Sequence, residues 1–94
     1  YHKNFGNLKA TIEVEDYDDD ELYITVIVNT SRYADEWDDV KDTTAADDWL
    51  YDIMKYAHSE YKNYVITGHV ENSSGKTQAT FECSSSGRMK INWK

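Results

Sequence analysis

Proline is absent from this 94-residue chain, so no kink or cis peptide is written into it. One cysteine, Cys83, excludes an internal disulfide. Four glycines are too few for a phosphate-cradling glycine-rich loop, and neither CxxC nor HExxH occurs, so the sequence implies no cofactor. No apolar run approaches about eighteen residues, which excludes a membrane-spanning helix. Basic residues are scarce. Ten Lys and Arg stand against 18 Asp and Glu, for a net charge of −8. Residues 13–52 hold fifteen of those acids against Arg32 and Lys41 alone, a local charge of −13. That excess argues against direct nucleic-acid binding and for a basic protein partner.

What is present is globular. Hydrophobic content of 39% and charged content of 30% suit one folded domain over 1–94. Leucine is sparse, and three Trp, eight Tyr and two Phe supply the bulk instead. The longest amphipathic stretch is Ala45 to Lys62. Ala46, Trp49, Leu50, Ile53, Ala57 and Tyr61 recur at steps of three and four, so they share one helix face. Thr43 or Thr44 caps its start, Asp47 and Asp48 suit the positive end of its dipole, and Asn63 is the left-handed stop.

The rest alternates with period two. Residues 1–7 read as a polar lead-in with Phe5 covering a core edge. Leu8 to Glu15 turns Leu8, Ala10, Ile12 and Val14 to one side. Glu21 to Thr30 turns Leu22, Ile24, Val26 and Val28 inward. Pairing Val14 with Leu22 matches these rows and sets Glu15 against Glu21. Residues 31–43 predict an irregular or briefly helical connector, capped by Ser31 and pinned by Trp37. Tyr64 to Glu71 and Lys76 to Cys83 form a hairpin around Asn72–Gly75, with Ile66 facing Phe81, Glu71 facing Lys76, and Thr77, Ala79, Phe81 and Cys83 inward. A final hairpin through Ser85–Gly87 sets Cys83 against Met89, Phe81 against Ile91 and Ala79 against Trp93. The expectation is an α+β two-layer sandwich. Its five-stranded, largely antiparallel sheet, in the order ββαβββ, carries one long helix on one face and a polar opposite face including Thr25, His69, Gln78 and Thr80.

Two acidic clusters are the candidate sites. Asp16, Tyr17, Asp18, Asp19 and Asp20 sit on the first hairpin tip between Glu15 and Glu21. Asp16, Asp18 and Asp20 copy the alternate spacing of a calcium loop. Glu21 at the sixth place and Ile27 at the twelfth exclude an EF-hand, and metal binding there is the lesser alternative. Asp35, Glu36, Asp38 and Asp39 surround Trp37, an acid-and-aromatic mixture that suits docking a basic partner. Against both stands the commoner case, in which acidic runs are solvated surface and the Trp is core. Cys83 on an inward row has no histidine beside it, because His58 and His69 fall on opposite sides of the sheet. These residues therefore predict no enzyme.

The chain opens Tyr1-His2-Lys3, with neither Met nor a leader pattern. The expectation is an excised domain or mature chain of an extracellular or cell-surface protein, bacterial in style, acting as a non-enzymatic binding or accessory domain. The alternative is a cytoplasmic acidic inhibitor that presents carboxylates to a basic groove, as in nucleic-acid mimicry.

Overall fold

The computed structural model describes residues 8–94, with Tyr17 and Asp18 described by backbone alone. The lead-in containing Phe5 lies outside the described residues. Strands β1 (Ala10–Asp18) and β2 (Glu21–Val28) are followed by helices α1 (Thr30–Val40) and α2 (Thr44–Glu60). Strands β3 (Val65–Glu71), β4 (Thr77–Cys83) and β5 (Met89–Trp93) complete the chain. The element order is thus ββααβββ, with two helices where the sequence predicts one. The sheet runs β1-β2-β3-β4-β5 and is mixed: β2 and β3 are parallel, and the other three pairings are antiparallel.

Period-two alternation decides the inner face. Ala10, Ile12, Leu22, Ile24, Val26, Val28, Ile66, Val70, Ala79, Phe81 and Cys83 are buried and share one core with Trp37, Trp49, Leu50, Ile53, Met54 and Ala57 of the helices. Helix α2 lies over β3, β4 and β5. Its buried face is the predicted one with Met54 added, while Tyr61 becomes its C-cap and is half-buried. Thr43 caps it, accepting the Ala46 amide at 3.2 Å. Asn63 takes the left-handed conformation at φ 72°.

The connector is a helix because its cap comes from elsewhere. Asn29 precedes α1 without a side-chain cap bond, and Ser31 donates its hydroxyl to Asn29 Oδ1 rather than capping. Ser73, on the β3–β4 turn, supplies the cap. Its Oγ accepts the Thr30 and Ser31 amides at 2.9 and 3.2 Å, and its own amide donates to Thr30 Oγ1 at 3.1 Å. The turn so held ends at Tyr33, whose φ/ψ of −125°/37° kinks the helix. Beyond the kink Trp37 enters the core. Its ring stands 6.4 Å from Trp49 and 5.8 Å from Trp93, and its Nε1–H donates to Gln78 Oε1 at 3.0 Å. Trp93 Nε1–H donates in turn to Asp47 Oδ1 at 2.7 Å.

Two strand registers differ from the predicted ones by two residues, which preserves the faces. In the first hairpin Val14 opposes Ile24, Asp16 opposes Leu22 and Glu15 opposes Tyr23. The predicted Glu15–Glu21 opposition is replaced by Asp18 against Glu21, because a bulge at Tyr17 and a tight turn at Asp19–Asp20 take up the slack. In the second, Gly68 rather than Ile66 opposes Phe81, and Ile66 opposes Cys83. Packing dictates this. A Cβ on Gly68 would lie 2.6 Å from Phe81 Cζ and 2.1 Å from the Ile24 carbonyl oxygen, so the ring occupies the space a side chain would need. Near the turn Glu71 opposes Thr77 rather than Lys76, which leaves Gln78 as the extra residue of a bulge. Thr77 is consequently exposed rather than inward, and Gln78 reaches Trp37 instead of the polar face. The last hairpin has the register read from the sequence.

Gly68→Ala should therefore lose about 3 kcal/mol of stability or fail to fold, since overpacking against backbone is poorly relieved. Urea unfolding with an unchanged midpoint would contradict the Gly68–Phe81 packing. Ser73→Ala should cost about 1 kcal/mol by removing the cap of α1. Amide exchange should accelerate first at Thr30 and Ser31, not in α2.

Candidate functional site

The hairpin tip is formed by strand pairing that runs out at Asp18–Glu21. Asp16, Asp19, Asp20 and Glu21 are exposed there, while the side chains of Tyr17 and Asp18 lie outside the described residues. Asp20 contributes its carbonyl oxygen, which accepts the Val65 amide at 2.8 Å and locks the tip to the start of β3. Asp16 belongs to the inner row of β1, opposite Leu22, whereas Asp20 sits on the turn. Among the described residues, no group of three or more His, Cys, Asp or Glu side chains is placed to hold a metal.

The second cluster is divided by the helix. Asp35, Glu36, Asp38 and Asp39 are exposed on α1, but Trp37 is 2% exposed and belongs to the tryptophan cluster. Trp37 is thus unavailable to a docking partner, and the acid-and-aromatic surface reduces to carboxylates. Asp38 pairs with Lys41 at 3.3 Å on the open surface, where such a pair contributes little. The two clusters are also separate. The tip lies at the end of the sheet where β2 begins, and α1 starts where β2 finishes.

A polar unit on the outer face escaped sequence reasoning. Because β2 and β3 are parallel neighbours, Tyr23 opposes Thr67 and Thr25 opposes His69. The Tyr23 hydroxyl then reaches His69 Nδ1 at 2.5 Å, and His69 Nε2 lies 2.8 Å from Glu71 Oε1. A carboxylate only accepts, so the contact with Glu71 needs a hydrogen on Nε2; the tautomer that carries it there leaves Nδ1 to accept the Tyr23 hydroxyl. The His69–Glu71 half was visible as an i, i+2 pair on one strand face; the Tyr23 half needed the strand order. Thr25, Thr67 and Thr80 surround the unit. A neighbouring outer-face depression of about 220 Å³ is lined by Thr80, Phe81, Glu82, Lys90 and Asn92 rather than by the unit. The arrangement orients donors and acceptors on an open face, which suits contact with a partner.

Cys83 does not join it. The thiol is buried in the core, its Sγ hydrogen directed to the Ser84 carbonyl oxygen at 3.5 Å, and burial pushes its pKa above the ordinary 9.0. His58 lies on α2 beside Gly87, with its Nδ1 buried and unpartnered among the described residues. Comparison with protein-family models, with curated proteins and with solved structures finds no match.

Cys83 should react with a disulfide reagent only as the chain unfolds. The sign of its pH effect follows from the raised pKa. Below about pH 9 the thiol is protonated in both states; above it the unfolded chain ionises first and binds fewer protons, so stability falls as pH rises. Denaturant titrations from pH 7 to 10 should show that fall shrinking in Cys83→Ala, and an identical alkaline slope in both proteins would refute it.

Proposed function

We propose that this chain is a non-enzymatic binding domain of a secreted or cell-surface protein, bacterial in style, that docks a basic protein partner through its exposed carboxylates. One observation carries the reading. Asp16, Asp19 and Asp20 at the tip, and Asp35, Glu36, Asp38 and Asp39 on α1, all stand exposed, whereas Trp37 among them is core. Charge without an aromatic anchor favours steering and orientation over a deeply packed contact. The reading takes the fold as a two-layer sandwich, with the helices on one face as a rigid backing. Direct nucleic-acid binding forms no part of it, because the surface has the sign of the phosphates themselves.

The concentration of acid in residues 13–52 also suits a second reading, a cytoplasmic inhibitor whose carboxylates occupy a basic groove in place of nucleic-acid phosphates. Both readings demand salt-sensitive binding, and competition separates them. Affinity for a Lys/Arg-rich peptide should fall about tenfold or more between 50 and 500 mM salt, as screening of exposed charges requires. Asp35→Asn with Glu36→Gln and Asp39→Asn should weaken it further at low salt while leaving the melting temperature nearly unchanged. Salt-independent affinity would overturn the reading. Displacement of duplex DNA from a basic DNA-binding protein would select the inhibitor.

A further inference from the structure

We propose that the outer edge of β1, unpaired among the described residues, receives an extended basic segment of a partner protein as an added strand, with the apolar groove beside it taking the inward side chains. The inference rests on the basic-partner reading above and assigns it a place and a geometry.

The edge comes first. β1 is the outermost strand on its side of the sheet and, at nine residues, the longest strand of the fold. An edge strand leaves alternate N–H and C=O groups directed away from its neighbour, a template for another strand. Its bulge lies at Tyr17, near the far end, so Ala10 to Asp16 keep an unbroken ladder with β2.

The groove comes second. Helix α2 is centred over β3, β4 and β5, which leaves the β1–β2 hairpin less covered toward its tip. The result is a hollow of about 290 Å³ whose walls include Ile12, Val14, Leu22, Ile24, Tyr56 and Glu60. Val14 belongs to the inner row yet is 46% exposed, and Tyr56 is 54% exposed. A strand added at β1 would send every second side chain toward this hollow.

Charge selects the occupant. The intervening side chains of an added strand would fall beside Glu13 and Glu15, both exposed on the other face of β1. Asp16 continues the inner row past Val14, and Glu60 stands in the groove wall. Apolar residues alternating with Lys or Arg therefore match both faces at once. A second copy of this chain would instead bring its own Glu13 and Glu15 toward these, a like-charge opposition that natural edges use to prevent self-pairing.

The test is an NMR titration of the full chain with a short synthetic peptide alternating Val and Lys, alongside the same peptide N-methylated at alternate residues. The unmodified peptide should shift β1 amides together with Val14 and Tyr56 and slow exchange of the β1 amides that point away from β2. The N-methylated peptide should bind at least tenfold more weakly. Val14→Lys, at an exposed position, should weaken binding by a similar factor, and Tyr56→Ala provides a second variant if the first misfolds. Shifts confined to Asp19–Asp20 or to the acids of α1 would sink the β1 site while the basic-partner reading stands. No shifts anywhere would sink both. Nuclear Overhauser contacts in the free protein from Phe5 to Val14, or between the β1 strands of two copies, would give the groove another occupant and overturn the proposal.

Discussion

Parallel pairing of β2 with β3 is the constraint on which the other features depend. Parallel neighbours cannot be joined by a tight turn, so the chain must leave one end of β2 and return to the other. The 36 residues between Val28 and Val65 make that journey, and α1 and α2 are its two legs. The same pairing places Val65 against Glu21 and so ties the first hairpin's tip to the start of β3. It also brings Tyr23 to His69, creating the polar unit of the outer face.

The crossing is held by tryptophan. Trp37 from α1, Trp49 from α2 and Trp93 from the last strand gather in one cluster, and two of their indole N–H groups are met by Gln78 and Asp47. Each aromatic pairing of this kind contributes about 1 kcal/mol beyond area burial. Without proline to direct the chain and with little leucine to fill it, these large rings both occupy the core and orient the helices. Gln78 can take part because the β4 bulge frees it from the ladder, so an irregularity in one strand anchors a helix from another part of the chain.

Local periodicity made much of this legible. The inner rows apart from Thr77, the body of α2, a cap at Thr43 or Thr44, Asn63 and the last hairpin could each be read within a few residues of chain. What could not be read depended on distant partners. The register of β1 on β2 and of β3 on β4 was ambiguous by two residues because a shift of two leaves every side chain on its own face. Gly68 held the clue for the second pair, since a glycine in an inner row implies a bulky neighbour across from it. Helix α1 looked like a connector because its cap lies 43 residues away, in Ser73. For the candidate sites, the acids were plain in the sequence, and so was Trp37 as the residue pinning the connector to the core; its partners Trp49, Trp93 and Gln78 were not.

That remote cap makes one end of a helix depend on a turn far along the chain. Helix α1 has no acidic residue in its first turn and no side-chain cap of its own, so its first turn has little reason to persist in isolation. On a growing chain, both helices and β3 emerge before the Asn72–Lys76 turn delivers the hydroxyl that closes Thr30 and Ser31. The first turn of α1 therefore depends for its cap on the turn between β3 and β4, and the bearing of the carboxylates that follow depends on that turn as well.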